Sequence, residues 1–303
     1  MDKKSKIILI SGPTASGKSS FAIKLAKKIK GEIINADSMQ VYKELKILTA
    51  RPNSRERKQI KHHLYGFLSV RKKFSTGQWL KLTFKIIKEI QKRNKIPILV
   101  GGTGLYFKAI IDGLVKIPKV TMKNRKIIIN IHKKLGQAKF YKKLIKLDPK
   151  IIEFVNPNDV QRSIRAYEVK KYTKKSLLDW YKDTRSLFGK DDFIKIYVDC
   201  PRDLLLSRIK IRAKKMLPEG VKEVKRLIGI KVPQSNSSTK IIGIAEIKKL
   251  LEKKLNKDQA IELIVIKTRQ YAKRQATWAR GKMTDWETVS TLDSKLSLKK
   301  LFN

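Results

Sequence analysis

Short apolar runs alternate along this chain with longer segments in which apolar residues recur every three or four positions. Ile7–Ile10, Glu32–Asn35 and Ile96–Val100 read as strands, and Ser19–Lys30 and Gln78–Arg93 as amphipathic helices between them. Such alternation predicts an α/β fold with a parallel sheet covered by helices. From Pro118 to Asp191 the pattern changes to short Lys-rich helical segments broken at Asp148-Pro149 and Asn156-Pro157, which predicts a mainly helical inserted domain at 118–191. Ile194–Val198 restores the strand pattern. A helix over Pro201–Met216, a polar loop at Gln234–Ser238, a long helix over Asp258–Arg280 and a short strand at Val289–Leu292 complete it. The expected core is residues 1–117 and 192–303, interrupted by the insertion.

Composition narrows the class. With 303 residues, 41% of them hydrophobic, the chain can bury a sizeable core. No run approaches the roughly 18 apolar residues of a membrane span, and the Lys-rich start lacks the apolar stretch and cleavage site of a signal peptide, so a cytoplasmic protein without a membrane partner is expected. The single cysteine, Cys200, follows an apolar run and reads as a small buried hydrophobe. Net charge is +46, from 16 arginines and 56 lysines against 26 acidic residues. A polyanion partner explains that excess; so does a compositional preference for lysine, and the count alone does not separate them.

The sharpest chemical signal follows the first strand. Gly12-Pro13-Thr14-Ala15-Ser16-Gly17-Lys18-Ser19 matches the phosphate-loop (P-loop) pattern, in which backbone N–H groups and a lysine hold phosphate oxygens while the following hydroxyl ligates Mg²⁺. A bound di- or triphosphate is therefore expected, although the motif does not name the reaction. Ligands of open α/β sheets sit beyond the carboxyl ends of the strands. The second strand ends at Asp37-Ser38-Met39-Gln40, where Asp37 is suited to take a proton or to hold a metal-bound water beside the phosphates, unless Asp37 or Ser38 serves as a helix cap. The third ends at Gly101-Gly102-Thr103-Gly104, whose small residues permit close approach.

In these blocks, and in Thr49-Ala50-Arg51-Pro52, His62-His63-Leu64, Pro157 to Val169 and Thr268 to Trp278, the chain resembles the tRNA dimethylallyltransferase family. The match runs in family order from residue 12 to 280. Because no zinc-finger extension follows Trp286, it resembles the bacterial form. The resemblance implies transfer of a dimethylallyl group from dimethylallyl diphosphate to the exocyclic amine of the adenosine 3′ of a tRNA anticodon, by a monomer using Mg²⁺. It implies Asp37 as base, residues 12–19 as the diphosphate loop, and Thr14, Lys18 and Arg212 as stabilisers of the leaving group, with Ser19 toward the metal. The phosphate loop would then serve a leaving group, and the kinase or ATPase reading of the motif would be wrong.

The same resemblance assigns contacts with the tRNA anticodon stem-loop to Asp37, Ser38, Met39, Gln40, Thr103, Arg125, Gln161, Arg162, Ser163, Ile164 and Arg165. It adds Lys273, Arg274, Gln275, Ala276, Thr277, Trp278, Ala279 and Arg280. Read without it, Arg162 and Arg165 could pair with Asp159 and Glu168 on a helix surface, and Trp278 could belong to the core. His62 and His63 shape a loop rather than a metal site, since no third ligand type stands at a useful spacing. Leu48 stands where the family commonly has glycine, Lys174 replaces a usual glycine, and Ile244 replaces a frequent aromatic residue. Two rival classes, a small-molecule phosphotransferase and a non-catalytic RNA-binding protein, explain the phosphate loop or the charge but not both. A prenyltransferase acting on free adenine nucleotides would lack a use for the helical insertion.

Overall fold

The computed structural model describes residues 6–118 and 120–292; residues 1–5, Lys119 and 293–303, assigned above to the core and insertion, lie outside the described residues. Six strands, Ile7–Ser11 (β1), Gly31–Asn35 (β2), His62–His63 (β3), Ile96–Gly101 (β4), Phe193–Asp199 (β5) and Glu287–Ser290 (β6), form one sheet in the order β3-β2-β4-β1-β5-β6. Every pairing is parallel. In β1, Ile8 lies opposite Ile98 on one side and Ile194 on the other, and all five residues of the strand are buried. A strand covered on both faces needs an unbroken apolar run, which is why β1 and β4 lack alternation.

The helices are Lys18–Lys28 (α1), Ser54–Gln59 (α2), Thr76–Lys92 (α3), Gly104–Ile111 (α4), Met122–Leu147 (α5, broken at Gly136), Val160–Thr173 (α6), Leu177–Lys182 (α7), Arg202–Gly229 (α8), Ile244–Leu251 (α9) and Lys257–Lys282 (α10). Capping boxes set the starts of α3, through Ser75 and Gln78, and of α10, through Asn256 and Gln259. Phe21, Ala22 and Leu25 of α1 pack on Ile8, Ile10, Ile33 and Ile98 of the sheet. A second core gathers Tyr42, Leu45 and Leu48 with Leu217, Leu227, Ile247 and Ile264 from α8, α9 and α10.

The chain divides into two compact units, Met1–Ala109 with Phe188–Asn303, and Ile110–Leu187. The second unit has its own core of Phe140, Leu144, Ile151, Val155, Ile164 and Tyr167. Its limits fall at 110 and 187, beside the expected 118 and 191.

Three elements differ from the sequence reading. His62-His63 is an edge strand rather than a loop, with His63 bonded to the buried Glu32 at 2.7 Å. Burial pushes Glu32 up, but bonds from His63, Lys95 and Arg93 outweigh it and hold the carboxyl at about 2. The last strand lies at Glu287–Ser290. The helix expected to stop at Met216 continues through Pro218 to Gly229, because Ala213 and Leu217 before the proline and Val224 and Leu227 after it bury against one core.

Candidate active site

The phosphate loop leaves the buried end of β1 and enters α1 at Lys18, so the positive end of the helix dipole faces the loop. Lys18 Nζ bonds the Pro13 carbonyl at 3.1 Å. Burial lowers its pKa to about 8, the nearby Asp37 carboxylate opposes that, and Arg212 adds to it. Two arginines of α8 reach the loop. Arg212 Nη2 donates to Thr14 Oγ1 at 2.9 Å, and Arg208 Nη1 donates to the Ser16 carbonyl at 3.1 Å. Burial lowers the Arg212 pKa while Asp37 raises it. The sequence reading missed Arg208, although its spacing of four from Arg212 on one helix was visible.

Asp37 caps no helix. Its Oδ1 accepts from the Met39 N–H at 2.8 Å, closing a turn, and its own N–H bonds Asn35 Oδ1 at 2.8 Å. Asn35 Nδ2 holds the Asp37 and Leu64 carbonyls, and the Asn35 carbonyl accepts from buried Trp79 Nε1 at 2.8 Å. The second carboxylate oxygen makes no hydrogen bond among the described residues and stays available for a ligand. Burial, reinforced by the Asp37 charge, pushes the phenols of Tyr65, Tyr106 and Tyr271 well above the ordinary range, so they remain neutral.

The turn after β4 knits these parts together. A Cβ on Gly101 would fall 2.0 Å from the Ala36 carbonyl oxygen, so glycine alone lets β4 meet the end of β2. Thr103 Oγ1 accepts from the Ser38 N–H at 3.0 Å. Gln275 of α10 spans the gap, accepting from the Thr14 N–H at 2.8 Å and donating to the Gly102 carbonyl at 2.9 Å.

Two cavities meet here. One, of about 280 Å³, is lined by phosphate-loop residues including Lys18 and Ser19, by Gln40 and Tyr65, and by Arg208. The other, of about 300 Å³, is lined by the apolar Met39, Leu48, Ile209, Met216, Ile241 and Ile264 and by the polar Lys240, Thr268, Tyr271 and Arg274. Thr14, Asp37, Thr49 and Arg212 line both. Among the described residues no group of three His, Cys, Asp or Glu could hold a metal by itself. Mg²⁺ needs few protein ligands when phosphate oxygens supply the rest, and the exposed Ser19 at the first turn of α1 suits that arrangement.

The residues expected at RNA separate by position. Within the first unit, Gln40 Nε2 bonds the Thr49 carbonyl at 2.8 Å, and Trp278 packs so closely on Gly104 that a Cβ there would lie 2.4 Å from its ring. Arg274 lines the same cavity as Leu48, whereas Lys273, Ala276 and Arg280 line a separate groove against α8; Thr277 is exposed and Ala279 buried. Thus Gln275 and Ala279 face the protein, and only part of the block is open to a ligand. Within the second unit, Arg125, Gln161 and Arg162 are exposed, while Ser163 and Ile164 are buried, with Ser163 Oγ bonded to Gln137 at 3.1 Å. Arg162 pairs with Asp159 at 3.3 Å, and Arg165 with Glu168 at 2.9 Å. Cys200 is buried, as its neighbours suggested.

Residues 40–282 match the family model described as IPP transferase. The chain is 60% identical over 302 residues to a tRNA dimethylallyltransferase of Pelagibacter ubique, with 99% of this chain and 96% of that one covered. Among solved structures it is similar to a tRNA isopentenylpyrophosphate transferase of Staphylococcus epidermidis, with 32% identity, TM-score 0.68 and 97% of both chains covered. It is also similar to a eukaryotic dimethylallyltransferase solved acting on tRNA, with 30% identity, TM-score 0.81, and 94% of this chain and 73% of that one covered. No helix among the described residues is long and apolar enough to cross a membrane. Likeness that runs through sheet, insertion and terminal helix alike makes the chain a member of the IPP transferase family.

Proposed function

We propose that this chain transfers the dimethylallyl group of dimethylallyl diphosphate to the exocyclic amine of the adenosine 3′-adjacent to a tRNA anticodon, releasing diphosphate. The observation that carries the reading is the junction, at Asp37, Thr14, Thr49 and Arg212, of the phosphate-loop cavity and a cavity with an apolar wall around Leu48. The diphosphate fits the loop and the hydrocarbon the apolar wall, which leaves the reacting carbon beside Asp37.

In the transfer, the adenosine N6 lone pair forms the N–C bond to the allylic C1. The C1–O bond breaks and its electrons leave with the diphosphate, while a proton passes from N6 to the free oxygen of Asp37. Lys18, Arg208 and Arg212 face the oxygens on which negative charge grows, and the buried setting strengthens that attraction. Ser19 would hold Mg²⁺ together with diphosphate oxygens; the ion would neutralise leaving-group charge. The Asx turn through Met39 and the bonds from Asn35 fix the carboxylate before substrate arrives. Exposed cations on α10 and in the second unit supply backbone contacts that would hold the anticodon loop with its adenosine extruded. Their carriage on a monomeric cytoplasmic protein completes the reading.

Purified protein given labelled dimethylallyl diphosphate and either unmodified tRNA or AMP tests it. Label in tRNA alone is the expected result; label in AMP alone, or phosphate transfer from ATP in its place, would refute the proposal.

A further inference from the structure

One wall of the cavity that Leu48 lines is built on two glycines. Leu48 belongs to the turn after β2, yet its side chain reaches across to α8 and the start of α9. Its Cδ2 occupies the space two glycines leave empty: a Cβ on Gly220 would lie 3.0 Å from that methyl, and a Cβ on Gly243 only 2.8 Å from it. The backbone at this point is fixed as firmly. Buried Glu223 of α8 accepts from three successive N–H groups, Lys46 at 2.7 Å, Ile47 at 2.7 Å and Leu48 at 3.1 Å. Leu48 is only 8% exposed and lines the cavity that shares Asp37 with the phosphate loop.

A side chain anchored at both ends cannot yield to a longer ligand as a free rotamer would. We infer that Leu48, which stands where the family commonly has glycine, sets the depth of the hydrocarbon pocket in this enzyme and so the length of hydrocarbon its donor may carry. Leu48 shares the cavity with Met39, Ile209, Ala213, Met216, Ile241 and Ile264, which offer dispersion contacts to a hydrocarbon, while Lys240, Thr268, Tyr271 and Arg274 add polar groups to the lining. The neighbouring glycines matter because truncating Leu48 would open the cavity directly toward them. Alanine at 48 removes three carbons from the wall, and valine removes one.

This inference rests on the proposed transfer reaction, so the wild type is first assayed with dimethylallyl diphosphate and tRNA; no transfer there defeats that reading and not this one. The wild type, Leu48→Val and Leu48→Ala are then compared on allylic diphosphates lengthened at the tail by one to five carbons, the longest being geranyl diphosphate. In the wild type kcat/KM should fall steeply at the first added carbons. The cut-off should move out by about one carbon in Leu48→Val and about three in Leu48→Ala, and the ratio of long to five-carbon donor should rise at least about tenfold in the latter, an amount a few buried methylenes can supply. Gly220→Ala, whose new methyl would press on Leu48 Cδ2, should lower kcat/KM for the five-carbon donor, and adding Leu48→Ala should relieve it. A cut-off unmoved in folded Leu48→Val and Leu48→Ala overturns the inference. So does a change in the KM for tRNA with donor selectivity intact, which would place the adenosine in this cavity.

Discussion

Arg212 and Thr14 lie 198 positions apart and are joined by a 2.9 Å bond from guanidinium Nη2 to hydroxyl oxygen. The bond aims a cation from α8 at the phosphate loop without using a carboxylate partner, so its charge remains available to an anion. Arg212→Lys keeps the charge but loses the fork, and Arg212→Ala loses both. Turnover of the diphosphate donor should fall about 10²-fold or more in the alanine variant, as for removal of one charge-stabilising donor, and less in the lysine variant. Steady-state kinetics with saturating tRNA measure it; a loss confined to tRNA affinity would contradict the leaving-group role.

Lys18 should make donor binding sensitive to alkaline pH. Burial lowers its pKa to about 8, so the empty site carries its charge at pH 7 and has mostly lost it at pH 9. If the charged form binds the diphosphate, affinity should weaken about tenfold over that interval, by the linkage of proton and ligand binding. In Lys18→Arg the charge persists and the dependence should flatten. Calorimetric titration with inorganic diphosphate at several pH values reads both.

Asp37 has two tasks that two substitutions separate. Asp37→Asn keeps an oxygen to accept from the Met39 N–H but cannot take a proton, whereas Asp37→Ala loses the turn as well. Asparagine should lower kcat roughly 10²-fold with tRNA affinity and thermal midpoint retained. Wild-type turnover in Asp37→Asn would exclude the base.

Gln275 was expected at the RNA, and its amide is spent on Thr14 and Gly102. Gln275→Ala leaves a backbone N–H and a carbonyl without partners and should cost about 2 kcal/mol of stability. The KM for the diphosphate should rise while tRNA affinity holds. Filter binding beside donor kinetics decides, and the opposite pattern would restore the RNA contact.

Arg274 and Arg280 are both exposed and line different cavities. If both touch backbone phosphates, the double alanine variant should reduce the slope of log affinity against log salt by about 1.5 to 2, with diphosphate affinity unaltered. An unchanged slope would mean that these cations face only solvent.

Much of the site is legible in the sequence because it is local. Strand, glycine loop and helix are contiguous from Ile7 to Lys28, so periodicity and spacing alone place the anion site. Asp37 and Thr103 are legible in the same way, each standing just past a strand whose parallel neighbours are predicted by the β-α alternation. The third strand, two residues long, carries too little pattern to be seen, and the continuation of α8 is hidden by Pro218, whose local preference is overridden by packing on both sides.

The tertiary structure alone decides which distant side chains complete the centre. Arg208 and Arg212 reach the loop from 192 and 198 positions away, Gln275 from 261, and Glu223 grips the turn at Lys46 from 177. No periodicity within one segment records such pairs, because each exists only when α8 and α10 pack together beside the loops that end the strands and a polar atom must find a partner as it is buried. Leu48 is the sharpest case. In sequence it is one apolar residue in a turn, and its role as a wall follows from Gly220 and Gly243, which are unremarkable until folding sets their missing side chains around it. Local backbone preference and hydrophobic period therefore determined the sheet and the anion site, while close packing between remote segments determined the shape of what lies beside it.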